Sequence, residues 1–158
     1  LLISGEDWMI REATTNDLPV LLEMGHQFVT GTIYRRVMDE NPDMLRALFV
    51  GLIESESGLL LVADRGNKVT GPDVVGAIGM SVYEHPMSGD TVSNEAFWWI
   101  NPEARGGRES VRLLRAAEEW VKEQGARWMH MVAPSRRVGQ FYERLGFIPL
   151  EMHYTKAV

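Results

Sequence analysis

No part of the chain constrains its fold more than the stretch Trp98-Trp99-Ile100-Asn101-Pro102-Glu103-Ala104-Arg105-Gly106-Gly107-Arg108-Glu109-Ser110. Glu95 to Ile100 is rich in aromatic side chains and ends on a β-branched one, so it reads as a strand with a pleated, half-buried surface. Asn101 and Pro102 end that strand, because proline has no amide hydrogen to give to a ladder. Arg105-Gly106-Gly107 then turns the chain into a helix expected from Ser110 to about Gln124. At a helix start the first amides lack an intrahelical partner and point outward beside the positive end of the macrodipole. Glycines let a ligand approach that backbone closely, and Arg105 and Arg108 add two permanent positive charges. A bound pyrophosphate explains this arrangement best; a ligand-free left-handed turn is the plainer alternative.

The rest of the chain makes an anion site conspicuous, since the formal net charge is −6 over 158 residues. That balance disfavours nonspecific nucleic-acid binding and mildly favours a cationic substrate. A length of 158 residues suits one domain, and 45% hydrophobic with 24% charged residues suits a globular chain. No apolar run approaches the ~20 residues of a membrane helix, and Leu1-Leu2-Ile3 is too short for a secretory signal. Cysteine is absent, which excludes disulfides, thiolate metal sites and a cysteine nucleophile, and fits a cytoplasmic setting. None of the four histidines has metal-ligand spacing, so no metal is expected. Met9-Ile10-Arg11 reads as a natural start, which leaves 9–158 as the domain and 1–8 as a vector-derived or upstream extension.

Around the glycine turn the pattern alternates strands and helices. Met9 to Ala13 reads as a strand, Leu18 to Thr30 as a helix with Pro19 in its first turn, and Asn41-Pro42 to about Ser55 as a second helix. Leu59–Ala63, Val74–Tyr83 and Val92–Ile100 read as strands, with Gly76 and Gly79 suggesting a bulge or a close backbone approach. His85-Pro86 to Asp90 is polar and turn-rich, a candidate pocket rim. After the central helix come a strand over Ala126–Ala133, parallel to the Glu95–Ile100 strand, a helix capped by Pro134-Ser135 and closed by Gly146, and a last strand over Phe147–Thr155. Trp98 and Trp99 are neighbours on a strand and therefore point to opposite faces. The order β-α-α-β-β-β-α-β-α-β implies a mixed α/β fold with a central, partly antiparallel sheet.

Strand, Pro-Glu-Ala-Arg-Gly-Gly, amphipathic helix, second strand and Phe141-Tyr142-Glu143-Arg144-Leu145-Gly146-Phe147 together resemble the GNAT superfamily of acyl-CoA-dependent N-acetyltransferases. The family's cofactor signature is Arg or Gln, two residues, Gly, one residue, then Gly or Ala. Arg105 matches its first position, whereas Arg108 and Ser110 stand where small residues are expected; Gly106 and Gly107 supply similar freedom slightly earlier. The resemblance implies a GNAT-like fold with a splay between two parallel central strands. It further implies acetyl-CoA as co-substrate, a small-molecule or peptide amine as acceptor, and a homodimer as one state to expect.

Carried over by position, the resemblance assigns the pyrophosphate to Arg105, Gly106, Gly107, Arg108, Glu109 and Ser110, and the pantetheine arm to the open edge of Trp98, Trp99 and Ile100. Tyr142 corresponds to a tyrosine that lies near the sulfur in many members. A phenol with a reference pKa near 10 is protonated at neutral pH and can donate to a departing thiolate; a packed core tyrosine is the alternative. Glu95 stands where several members carry a glutamate that helps deprotonate the amine, with Glu84 and His85 as further candidates and an ordinary edge residue as the plain reading. Arg112, Arg115, Arg136 and Arg137 either reach the phosphates or form a solvated face. A noncatalytic acyl-CoA-binding or regulatory domain is the rival in another class, motivated by Arg108. A nucleotide phosphate loop is a weak third, since Gly-x-x-x-x-Gly-Lys-Ser/Thr is absent.

Overall fold

Alternating apolar residues in the middle strands decide the layering. In Leu59 to Ala63 the odd-numbered side chains pack with one hydrophobic cluster and the even-numbered ones with another, so the sheet is covered on both faces. A computed structural model describes residues 8–67 and 69–158. Residues 1–7, most of the expected extension, and Lys68 lie outside the described residues.

The elements are β1 (Met9–Glu12), α1 (Leu18–Gly31), α2 (Pro42–Glu54), β2 (Gly58–Asp64), β3 (Val74–Glu84), β4 (Thr91–Ile100), α3 (Arg108–Glu123), β5 (Trp128–His130) and α4 (Arg136–Arg144). The five strands form one sheet in the order β1-β2-β3-β4-β5, antiparallel except for the parallel pair β4–β5. Helices α1 and α2 cover one face through Leu21, Met24, Phe49 and Leu52, against Leu60, Val62, Phe97 and Trp99. The other face lies under α3, whose Leu113, Leu114, Ala117 and Val121 meet Leu59, Leu61, Ile78 and Met80. Asn41 caps α2 by accepting the amides of Asp43 and Met44, and Ser135 caps α4 by accepting that of Val138.

Two departures from the sequence expectation bear on function. The first is a register shift between β3 and β4: Gly79 faces Phe97 but Met80 faces Glu95, so Ala96 is an extra residue on β4. The sequence placed a bulge near the glycines of β3, and the inserted residue lies on the partner strand. The second concerns the end of the sheet. The strand expected over Ala126–Ala133 is only Trp128–His130, and the strand expected over Phe147–Thr155 does not form. A strand exists by virtue of a ladder, and residues 147–158 have no partner strand in the sheet of this chain. The parallel pair therefore lies at one edge of the described sheet, with β5 as its last member.

Candidate active site

The parallel ladder between β4 and β5 joins only Val92–Asn94 to Trp128–His130. Beyond Asn94 and His130 the two strands part, and a cleft of about 660 Å³ opens between them, bounded by the start of α3, by α4 and by the end of α1. Backbone groups left without ladder partners in such a splay need others. Two side chains supply them here.

Glu95 is the first. Its Oε2 accepts the Val132 amide at 3.1 Å, bridging the parted strands, and lies 3.3 Å from the Tyr142 hydroxyl. The bulge makes this possible. Under unbroken alternation Glu95 would share a face with Phe97 and Trp99; with Ala96 inserted it pairs with Met80 instead, on the face of Trp98 and α4. Burial raises the Glu95 carboxyl to about 7, against the opposing effect of the hydrogen bonds from Val132 and Tyr142.

Tyr142, buried on α4, is the second. Its hydroxyl can donate to Glu95 or to the Val132 carbonyl at 3.2 Å. Its ring stacks on Trp98 with centroids 5.8 Å apart, between Phe141 and Phe147. Burial first, and then the Glu95 charge, push the phenol pKa upward, so Tyr142 stays protonated across the neutral range.

Gly106, Gly107 and Ser110 line the other end of the cleft. Only one of the two glycines needs its freedom: Gly106 has φ 82°, a left-handed conformation, whereas Gly107 has φ −83° and is the N-cap of α3. Gly107 offers no side chain to cap that helix, and among the described residues none is seen accepting its first amides. A Cβ on Gly107 would meet Glu109 Oε2 at 2.5 Å, which shows that the Glu109 carboxylate folds back over the helix start. Arg105 is exposed and lines the cleft as well. Its Nε donates to the Ile100 carbonyl at 2.9 Å and its guanidinium lies over the Trp99 ring, 4.5 Å from the centroid.

Trp98, Trp99 and Ile100 all line the cleft, the two tryptophans from opposite faces of β4, as adjacency on a strand requires. The Trp98 indole N–H is buried with no hydrogen-bond partner among the described residues. Arg108 and Glu109 are not among the lining residues. Glu84 and His85 lie at the β3–β4 hairpin, where Glu84 pairs with Thr91, at the opposite end of β4 from the glycine turn. That hairpin forms no rim of the cleft.

The cleft also takes residues that sequence reasoning passed over. Phe28, Tyr34 and Val132 line it. Tyr34 stacks on Phe28 with centroids 5.2 Å apart, and its phenol is pushed upward by burial and by the Glu95 charge. A single turn of helix after α1, Ile33–Arg36, presents it. Only Arg137, among the four arginines considered for the phosphates, lines the cleft. Periodicity could not have selected Tyr34, which lies in a single irregular turn, and it placed Val132 in a strand that ends two residues earlier, at His130.

An uncapped helix start, a glycine that admits close approach, an orphaned indole N–H and an opened strand edge meet in one cleft. This donor set fits an acyl thioester carried on a diphosphate.

Comparison with known proteins agrees with this reading of the fold. The model of the acetyltransferase (GNAT) family matches residues 27–147. The aminoglycoside N-acetyltransferase AAC(6')-Iy, solved in complex with CoA, superposes with a TM-score of 0.75 at 18% identity, covering 100% of this chain and 99% of that one. A Trypanosoma brucei acetyltransferase gives 0.72 at 18% identity, over 96% of this chain and 100% of that one. The tetramutant of BH1408 protein from Bacillus halodurans gives 0.79 at 16%, over 95% and 99%. No curated protein matches the chain. At these identities the structural likeness carries the fold.

Proposed function

The chain belongs to the GNAT acetyltransferase family, and from that premise we propose that it transfers an acetyl group from acetyl-CoA to a primary amine by direct attack within a ternary complex. One observation carries the reading: Glu95, with a carboxyl near neutrality, is hydrogen-bonded to Tyr142 in the same cleft that receives the uncapped start of α3.

In this reading the amides at the start of α3 and the turn at Gly106 hold the pyrophosphate of the co-substrate, and the opened edge of Trp98 to Ile100 takes its pantetheine arm. Acetyl-CoA supplies the thioester carbonyl that the amine nitrogen attacks; the carbon–sulfur bond breaks and an amide bond forms. Glu95 accepts the proton that the amine loses. With a pKa near 7 it is substantially ionised at neutral pH and still basic enough to remove a proton from an attacking nitrogen. Tyr142 gives its proton to the departing sulfur and recovers one from Glu95 along their hydrogen bond, which resets both groups. Tyr34 and Phe28 form the wall on the acceptor side.

A noncatalytic acyl-CoA-binding module is the second reading. It is favoured by the Glu109 carboxylate over the helix start and by Arg108 in place of a small residue. One experiment separates the two. The chain is incubated with acetyl-CoA and a panel of primary amines and amine-terminated peptides, and free CoA thiol and acetylated product are followed together. Release of CoA in step with an acetylated amine, lost in Tyr142→Phe, is the expected result. Tight acetyl-CoA binding without thiol release across the panel would leave the binding module standing.

A further inference from the structure

Next to the cleft lies a second hollow, of about 410 Å³, that the chemistry above leaves unused. It shares Gly31, Thr32 and Pro134 with the cleft, so the two adjoin. Its other lining residues are Ile33, Arg35, Arg36 and Ser135; the glycine turn before α3 takes no part in it. The short turn Ile33–Arg36 therefore faces two ways. Tyr34 lines the cleft, close enough to Glu95 for that charge to raise its phenol, while Arg35 and Arg36 line the hollow next door.

The polar groups of the hollow are donors. The Thr32 hydroxyl accepts the Tyr34 amide at 3.3 Å and donates to the Phe28 carbonyl at 2.7 Å, which ties the turn to α1 and spends that side chain. Ser135 accepts the Val138 amide at 3.3 Å, which leaves its hydroxyl hydrogen to give. Both arginines are exposed, and among the described residues neither pairs with a carboxylate. Of the two acids that follow in the chain, Asp39 pairs with neither arginine and Glu40 is held by His26. The charge of the whole chain, −6, points toward a cationic substrate. Locally the sign reverses. Glu95 is the one carboxylate among the lining residues of cleft and hollow, set against Arg35, Arg36, Arg105, Arg137 and Arg144.

Resting on the acetyl-transfer reading, we propose that the acceptor is a primary amine bearing a carboxylate, an amino acid rather than a polyamine, with Arg35 and Arg36 gripping the acid while the nitrogen faces Glu95. Guanidiniums fork onto the two oxygens of a carboxylate, which gives direction as well as charge. A polyamine would bring its second charge against the arginines, whereas an amino acid meets the opposite sign at both ends. Because the arginines follow Tyr34 directly in one tied turn, one length between acid and nitrogen is preferred.

The test takes glycine, β-alanine and the longer straight-chain ω-amino acids up to aminohexanoate, each beside its carboxamide, with putrescine as the cationic arm. At saturating acetyl-CoA, kcat/KM should favour the acid over its amide by about tenfold or more at one chain length. In Arg35→Gln combined with Arg36→Gln that advantage should vanish, and in Arg35→Glu combined with Arg36→Glu putrescine should overtake the acid. Both positions are exposed, and circular dichroism checks that the fold is kept. Calorimetry on CoA-saturated protein repeats the comparison as binding, without turnover. No preference for the acid in either measurement overturns the proposal, as does a preference that survives the double Gln variant. The co-substrate carries phosphates of its own, so acetyl-CoA affinity is titrated alongside; a loss that falls there instead of on the acid overturns it too. Acids bound through the arginines but never acetylated would sink the acetyl-transfer reading and leave the anion site standing. Amides and putrescine acetylated as readily as the acids would do the reverse.

Discussion

At one end of the cleft the chain offers backbone; at the other it offers side chains. The end proposed for the diphosphate is Gly106, Gly107 and the first turn of α3, which begins at Arg108. The end proposed for acyl transfer is Glu95, Val132 and Tyr142, drawn from β4, the segment after β5 and α4, with sequence separations of 37 between the first two and 47 between the first and last. Local backbone can be specified by a few consecutive residues, because a positive φ and a free amide depend on their immediate neighbours. A carboxylate tuned to neutrality needs distant atoms brought around it. The two ends should therefore fail in different ways when altered.

The largest effect is expected at Tyr142. Tyr142→Phe removes the proton donor while keeping the ring that stacks on Trp98, so kcat should fall about a hundredfold or more with acetyl-CoA KM little changed. Steady-state kinetics against acetyl-CoA make the check, and a normal kcat would remove Tyr142 from the chemistry. Glu95→Gln comes next and is read by pH. Wild-type kcat should rise as pH passes through about 7 and then level, and the variant should lose that limb.

The same substitution has a stability signature. Burial favours the neutral carboxyl, so between its ordinary value of 4.5 and about 7 the folded chain holds a proton that the unfolded chain has released. Stability contributed by Glu95 therefore falls as pH rises through that window. Glu95→Gln should gain on wild type, by up to about 3 kcal/mol, between roughly pH 5 and pH 8. Paired thermal melts at the two pH values measure it.

The backbone end should respond in binding alone. Gly106→Val forces a β-branched residue into φ 82°, at a strain of about 1–3 kcal/mol, although nothing lies within 4 Å of the added Cβ. Calorimetry should show CoA affinity reduced about tenfold, while kcat at saturating acetyl-CoA holds. Loss of kcat instead would mean that the two ends are not separable. The smallest effect belongs to Glu109→Gln. Removing a carboxylate that folds over the helix start should tighten CoA binding about two- to fivefold, most clearly at low salt.

How much of this was readable beforehand follows the same division. The strand–glycine–helix passage, the helices beginning at Leu18 and Pro42 and the long middle strands were legible, because each is written in a local period with its own stop signals. The role of Gly106 rather than Gly107 was not, since a Gly-Gly pair does not say which member takes the positive φ. Tyr34 was invisible because a single irregular turn has no periodicity. The strand expected over 147–155 does not form: the alternation is there, but no ladder partner among the described residues turns it into a strand.

The sequence by itself determined the helices, the long middle strands and the glycine turn before α3, because those depend on side-chain spacing and on which residues tolerate which backbone angles. Tertiary structure alone decided the face on which Glu95 appears. One extra residue at Ala96, visible only once β3 and β4 are in register, turns that carboxylate from the side of Phe97 to the side of Tyr142. Register is a relation between strands, and no single stretch of chain contains it.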